Sequence, residues 1–154
     1  MKNQPLGPHA AFAAAIFLLT AVPGLAADDP EDIIKYRQNV MKSNGANLSA
    51  AGAIIQKKVN FGPRLADHAN AVAAGSKNIA ALFPPGSDFG TDTEALDAVW
   101  TNRARFEKLA KDGETKAAAF AKAVAAKDPQ MGARFKELAD SCKACHKDFR
   151  KEQN

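Results

Sequence analysis

Five residues near the C-terminus, Cys142-Lys143-Ala144-Cys145-His146, carry the clearest chemistry in this sequence. A Cys-x-x-Cys-His run is the attachment signature of c-type haem. In such a site the two thiols form thioethers with the haem, and the adjacent histidine becomes an axial ligand of the iron. The chain contains two cysteines, so the motif accounts for every thiol. The sequence therefore predicts one covalently attached haem c, bonded to Cys142 and Cys145, with His146 ligating the iron.

Three other uses of a cysteine pair compete with haem attachment. A structural zinc site needs four ligands, and His9 and His68 are the only histidines outside the motif. A redox-active pair begins a helix in a βαβ unit, whereas this pair falls late in a helical pattern. A disulfide between Cys142 and Cys145 would close a very short loop and stabilise the fold little. Each alternative fits the sequence less well than haem attachment does.

Residues 1–26 have the features of a secretory signal peptide. Lys2 precedes an apolar run from Ala10 to Val22, and Gly24-Leu25-Ala26 is a small-x-small cleavage site. The run is shorter than the ~20 residues that a membrane-spanning helix needs. We therefore expect cleavage after Ala26, a mature domain at residues 27–154 without a membrane span, and a periplasmic location. Covalent haem attachment takes place on the exported side in bacteria, so the two predictions agree.

The formal net charge of +4 does not indicate a nucleic-acid partner. The chain has no long Lys/Arg run, and its aromatic residues are not interleaved with basic ones as a base-stacking surface requires. Basic residues do flank the motif, at Lys143, Lys147, Arg150 and Lys151. Cations at a helix C-terminus favour the helix dipole. The same cluster could also be a docking surface for an acidic redox protein, and the sequence leaves both interpretations open.

The first helix is predicted to begin at Asp29-Pro30, an N-cap residue followed by proline in the first turn. Apolar residues then recur at a seven-residue spacing: Ile34, Met41, Leu48 and Ile55. This spacing indicates a helix that packs nearly parallel or antiparallel to its neighbours.

The remaining helices are placed by their start and stop signals. A second helix is expected from Gly62-Pro63 to Pro84-Pro85, a short one from the capping box Thr91-x-x-Glu94 through Trp100, a third long helix from about Thr101, and a fourth from Asp128-Pro129. The sequence has no strand signal. Four long helices with short connections predict an all-α, antiparallel, up-down-up-down four-helix bundle that encloses the cofactor.

The chain resembles the class II c-type cytochromes, the cytochrome c-prime family, in motifs spread over the whole predicted mature domain. They are Lys35-Tyr36-Arg37-Gln38, Leu82-Phe83-Pro84, Val99-Trp100, Ser141-Cys142-Lys143-Ala144-Cys145-His146 and Phe149-Arg150. In this family the first helix faces the side of the iron opposite the histidine. High-spin members leave that position vacant for small gases, whereas low-spin members ligate the iron there with methionine.

The resemblance places Met41 at this distal position, one turn after Arg37. The stretch from Val40 to Gly45 is more similar to the low-spin branch, so Met41 is expected to ligate the iron opposite His146. Gly45 is expected where the haem plane approaches closely. The resemblance also implies that Arg37 binds a haem propionate, as a geometry-fixing Arg–carboxylate pair.

Two functions follow from these expectations. The first is a periplasmic electron carrier with His/Met-ligated iron, monomeric or homodimeric, that exchanges electrons with redox proteins. The alternative is a five-coordinate, high-spin cytochrome that binds nitric oxide or carbon monoxide. A peroxidase would need a distal acid or base. Because no histidine is well placed for that role, the sequence predicts that the protein is not an enzyme.

Overall fold

The first helix, α1 (Pro30–Ile55), begins where its capping signal predicts. The Asp29 carboxylate accepts a hydrogen bond from the Glu31 N–H at 2.8 Å, and Pro30 fills the first turn. The structure is a computed structural model that describes residues 28–89 and 93–152. The predicted signal peptide and Thr91 lie outside the described residues.

The predicted second helix is interrupted. A 3₁₀ turn at Gly62–Arg64 leads into α2 (Leu65–Gly75), and a second 3₁₀ turn covers Ile79–Leu82. The break falls at Asn78, whose φ of 49° lies in the left-handed region that asparagine tolerates better than most residues. The expectation of one continuous helix up to Pro84-Pro85 is therefore wrong.

The short third helix also begins later than its capping box predicts. It is α3 (Ala98–Thr101), and the preceding described residues, 93–97, are not helical. They instead run beside the C-terminal end of the last helix. Ala95 forms an isolated antiparallel bridge with Arg150, and the Leu96 N–H donates to the Phe149 carbonyl at 3.0 Å.

Two long antiparallel helices complete the fold: α4 (Arg103–Ala125) and α5 (Met131–Phe149). The Asp128 carboxylate accepts from the Gln130 N–H at 2.8 Å and so caps the turn that leads into α5, although the helix itself begins at Met131, two residues later than predicted. The four-helix bundle predicted from the sequence is confirmed. No helix in the described part of the chain has the length and apolar character needed to cross a membrane.

Two apolar clusters fill the bundle. The large cluster gathers buried residues of α1, α2, α4 and α5: Ala51, Leu65, Ala69, Val72, Ala117, Phe120, Val124 and Leu138. The aromatic cluster consists of Phe83, Val99, Phe106 and Phe149. The Phe106 ring lies edge-on to those of Phe83 and Phe149, at centroid distances of 5.0 and 5.2 Å, which is a favourable geometry.

α1 and α5 approach each other closely at one end of the bundle. A Cβ atom on Gly52 would lie 2.9 Å from Phe135 Cζ, and one on Gly132 would lie 3.9 Å from a methyl of Ile55. Each of these helices packs mainly against its other neighbour, α1 on α2 and α5 on α4. The two contacts fix an antiparallel register of α1 on α5, with residues near 52 level with residues near 135.

Gly52→Ala tests this close approach. The new methyl group must displace the Phe135 ring, which packs edge-on against Phe120 at 5.7 Å, and overpacking of this kind costs about 1–3 kcal/mol.

Gly45→Ala in the same helix is the control, because Gly45 is exposed and its Cβ would meet no protein atom within 4 Å. Replacing an exposed helical glycine by alanine should stabilise by about 0.5–1 kcal/mol. Opposite shifts in the free energy of unfolding, measured by denaturant titration, are expected; equal shifts would contradict this packing.

Candidate haem site

The two cysteines lie in the C-terminal half of α5 and face different parts of the core. Cys142 is half-buried and packs against the large cluster, whereas Cys145 is half-buried and packs against the aromatic cluster. Their spacing of three residues puts both on neighbouring positions of one helix face. The motif therefore lies where the two clusters meet.

Neither thiol has the lowered pKa that is typical of a redox-active cysteine pair. Burial raises the pKa of Cys142, and burial together with the charges of Cys142 and Asp148 raises the pKa of Cys145 to about 11. A redox-active pair shows the opposite shift and begins a helix. Both cysteines are free, so no disulfide joins them. Among the described residues no group of three or more His, Cys, Asp or Glu could hold a metal ion. These observations disfavour the redox, disulfide and zinc alternatives.

His146 follows Cys145 in the last turn of α5 and is half-buried. Burial lowers its pKa, and the nearby Arg150 cation lowers it further, while Glu94 acts in the opposite direction. The neutral imidazole is thus favoured, and this is the form that ligates a metal. The site therefore holds two protonated thiols and one neutral imidazole on a single helix.

Met41 lies on α1, is half-buried, and packs against the same aromatic cluster as Cys145. The antiparallel register set by Gly52 and Phe135, continued along both helices, brings Met41 level with Cys145 and His146. The structure thus brings Met41 into the neighbourhood of the motif. Gly45 is exposed, and a Cβ atom there would meet no protein atom within 4 Å, so the close approach of a haem plane at Gly45 stays a prediction.

Arg37 lies one turn before Met41 and is 3% exposed. Its guanidinium carbon lies 4.7 Å from the ring centroid of Phe83 and 5.7 Å from that of Trp100. Its terminal nitrogens donate to the hydroxyls of Ser87, at 2.9 Å, and Thr93. Burial lowers the pKa of Arg37, and the charge of Asp88 partly offsets that shift.

The polar partners of Arg37 are the part of the site that sequence reasoning missed. Ser87 is fully buried in the loop after Pro84-Pro85, and Thr93 lies before α3. Nothing in a loop serine or threonine indicates that it will contact a helix some fifty residues earlier in the chain. Arg103 was also missed: it donates to the carbonyls of Phe83 and Ala80, at 2.9 and 2.8 Å, and so ties this loop to α4.

His68 stands apart from this site. Its Nδ1 lies 2.9 Å from the side-chain oxygen of Asn47. The contact links α2 to α1 further along α1 than Met41.

The basic residues around the motif divide into two groups. Lys143 and Lys147 are exposed on α5. Arg150 forms the bridge with Ala95, and the Lys151 ammonium donates to the Thr93 carbonyl at 3.0 Å. Asp148 is paired with Arg105 of α4 at 2.6 Å. Arg150 and Lys151 therefore have a structural role, and the exposed lysines without one of these contacts are Lys143 and Lys147.

Comparison with known proteins decides the family. The family model described as Cytochrome C' matches residues 32–150. Cytochrome c' from Rhodospirillum rubrum is 31% identical over 138 residues, which cover 89% of this chain and 94% of that protein. The chain belongs to the cytochrome c′ family.

Solved cytochromes c′ share the fold. Cytochrome c prime from Shewanella frigidimarina aligns with a TM-score of 0.76 at 34% identity, covering 82% of this chain and 99% of that one. The nitric oxide complex of a mutant cytochrome c prime from Alcaligenes xylosoxidans aligns with a TM-score of 0.74 at 24% identity, covering 81% and 98%. Nothing in these comparisons favours the methionine-ligated branch that the sequence resembles.

Cytochromes c′ bind one covalently attached haem c, as predicted from the sequence. The residues of this chain fit that group. Two thiols and a neutral imidazole lie together on α5, and Phe83, Phe106 and Phe149 form an apolar surface beside Cys145. Arg37 adds a buried cation on the opposite helix, of the kind that pairs with a propionate.

The attachment residues can be tested directly. We expect the protein, expressed with export to the periplasm and then denatured in acid, to retain haem in mass spectrometry. Cys142→Ser and Cys145→Ser should each leave one bond, and the double variant should lose the haem on denaturation. The chain has no third cysteine that could substitute. An unmodified polypeptide mass for the parent protein would contradict the assignment.

Proposed function

We propose that this cytochrome c′ binds a small diatomic gas, nitric oxide or carbon monoxide, at haem iron ligated by His146, with Cys142 and Cys145 as the attachment residues. The observation that carries the proposal is the apolar surroundings of Met41 on the α1 side of the site. Met41 packs there against the aromatic cluster. Such a surface suits an uncharged ligand.

The haem, when bound, supplies an iron with one coordination position that a gas can occupy. His146 presents a neutral imidazole from α5, because burial and Arg150 disfavour its protonation. The aromatic cluster excludes water beside Cys145, and low polarity around a haem influences its potential. The cluster against which Met41 packs is apolar and can transfer no proton, so these residues support binding rather than a reaction such as peroxide cleavage.

Family membership supports the same function. A cytochrome c prime mutant from Alcaligenes xylosoxidans has been solved as a nitric oxide complex. At 24% identity that likeness concerns the fold alone. Gas binding by this chain is therefore supported by its membership of the family and by its own apolar side chains.

Electron carriage by a His/Met-ligated iron is the second candidate, and one observation favours it. Extended by helix rise from Gly52 and Phe135, the α1–α5 register predicts that Met41 is level with His146 on the facing helix. A thioether sulfur at that position could fill the sixth site of the iron, and methionine ligation raises the potential. The two functions therefore differ in what Met41 does.

Met41→Leu separates the two functions. If Met41 lines the site without ligating the iron, we expect the ferrous parent protein to be high-spin and to bind carbon monoxide readily. The Met41→Leu variant should then behave similarly. Leu for Met conserves volume and costs less than about 1.5 kcal/mol. Met131→Leu is the matched control, because Met131 packs against the large cluster at the other end of the bundle.

Absorption spectra and carbon monoxide titration of all three proteins give the answer. A parent protein that is low-spin in both oxidation states, and that binds carbon monoxide only after Met41→Leu, would contradict gas binding and favour electron carriage. Met131→Leu should match the parent protein in either case.

We further propose export to the periplasm through the signal peptide at residues 1–26, and docking of an acidic redox protein at Lys143 and Lys147. Both lysines are exposed on the helix that carries the motif. Charge complementarity of this kind mainly raises the association rate and is screened by salt.

The docking proposal predicts that reduction of the haem by an acidic protein donor slows as ionic strength rises. Lys147→Glu should slow the reaction at low salt and weaken its salt dependence. Lys122→Glu, with an equal charge change in the last turn of α4, should have little effect. Stopped-flow rates that respond equally to both variants would show that only the net charge matters.

A further inference from the structure

We propose that Ser87 and Thr93 are positioning residues that hold the Arg37 guanidinium in the orientation in which it pairs with a haem propionate. The inference rests on the proposed haem site. It assigns a role to two hydroxyl groups that no motif of the sequence identifies.

Arg37 is a buried cation whose hydrogen-bond partners are neutral. Arg37 is 3% exposed, and no described residue forms a salt bridge with it. Its hydrogen bonds within the described part of the chain go to two hydroxyl oxygens, and the faces of two aromatic rings cover the guanidinium. Buried charges are normally paired. The charge of Asp88 acts on Arg37 without a salt bridge between the two, and a propionate of the cofactor is the anion that the remaining N–H donors would pair with in the proposed haem site.

The direction of each hydrogen bond at Ser87 is fixed. The Ser87 hydroxyl donates to the Pro84 carbonyl at 2.9 Å, so its oxygen is left to accept from Arg37. Trp100 Nε1 donates to the same carbonyl at 3.1 Å. Ser87 is fully buried. The Ser87 hydroxyl therefore donates one hydrogen bond and accepts another, which fixes its orientation. Through the Pro84 carbonyl it is connected to Trp100, whose ring lies over one face of the Arg37 guanidinium.

Thr93 holds the other terminal nitrogen. Its hydroxyl oxygen accepts from Arg37 and also from the Ala95 N–H, the latter at 3.1 Å. Thr93 and Ala95 are in turn attached to the end of α5, through Lys151 and Arg150. The loop that contains Ser87 therefore holds one terminal nitrogen of the guanidinium. Thr93, attached to the end of α5, holds the other.

This arrangement places Arg37 beside the cofactor rather than in a separate polar site. Its aromatic neighbour Phe83 belongs to the cluster against which Met41 and Cys145 pack. A guanidinium has five N–H donors, and the two hydroxyls engage one on each terminal nitrogen. Further N–H groups are thus available for a carboxylate, in an orientation that the hydroxyls determine.

The test is the reduction potential of the holoprotein. A cation near the haem favours the reduced state, because reduction lowers the positive charge of the iron. Ser87→Ala and Thr93→Val should therefore shift the potential to more negative values, in the same direction as Arg37→Gln and by less. Thr93→Ser keeps the hydroxyl and should leave the potential near that of the parent protein.

Two comparisons distinguish positioning from a purely structural role. Ser76→Ala removes another buried serine hydroxyl, between α2 and the second 3₁₀ turn, and should leave the potential unchanged. In the Arg37→Gln background, Ser87→Ala should cause no further shift, because it acts through Arg37. Thermal unfolding of each holoprotein separates lost stability from a changed potential.

An unchanged potential in Ser87→Ala and Thr93→Val, or a Ser87→Ala shift that persists in the Arg37→Gln background, would overturn the proposal. Failure of the haem site itself has a different signature, since the parent protein would then lack covalent haem in mass spectrometry.

Discussion

The close approach of α1 and α5 at one end of the bundle is the constraint on which the site depends. Gly52 permits it, since a side chain there would collide with Phe135. Once the register is fixed at this end, the rise of two antiparallel helices determines which residues are level at the other end. Extended along both helices, this register predicts that Met41 and His146 are level, although the two residues lie far apart in the sequence.

Charge is nearly absent from the centre of the site. The thiols of Cys142 and Cys145 are protonated and the imidazole of His146 is neutral, in each case because burial disfavours the charged form. Arg37 is the exception, and the fold surrounds it with hydroxyl oxygens and aromatic faces. A buried guanidinium costs several kcal/mol to desolvate, and contact with aromatic faces returns about 2 kcal/mol. The part of the desolvation cost that the aromatic contacts do not offset favours an anion beside Arg37.

Local signals predicted helix starts best where a capping side chain lies next to the start of the helix in the sequence. Asp29 caps α1 as expected, and Asp128 caps the turn before α5. The prediction failed at Asn78, where a left-handed residue interrupts a pattern that is apolar on both sides. It failed again between Thr93 and Asp97, where pairing with the end of α5 replaces the predicted helix. A tertiary contact outweighs the local preference in the second case, whereas the break at Asn78 uses a conformation that asparagine itself tolerates.

The candidate site was predictable to a similar extent. Cys142, Cys145 and His146 carry a motif, and Met41 and Arg37 fall on the repeating apolar face of α1, so all five could be proposed before the fold was known. Whether Met41 ligates iron depends on distances that periodicity cannot supply. Ser87 and Thr93 could not be found, because long-range hydrogen bonds between a loop and a helix leave no pattern in the sequence.

The separate surroundings of the two cysteines have a consequence for folding. Cys142 belongs to the edge of the large cluster and Cys145 to the edge of the aromatic cluster. A cofactor bonded to both sulfur atoms would join the two clusters into one cooperative unit. Without it, the aromatic cluster depends on short segments, a 3₁₀ turn and a four-residue helix among them, whereas the large cluster is built from long helices. Local opening should then begin around α3, and its backbone amides should exchange with solvent before those of α4.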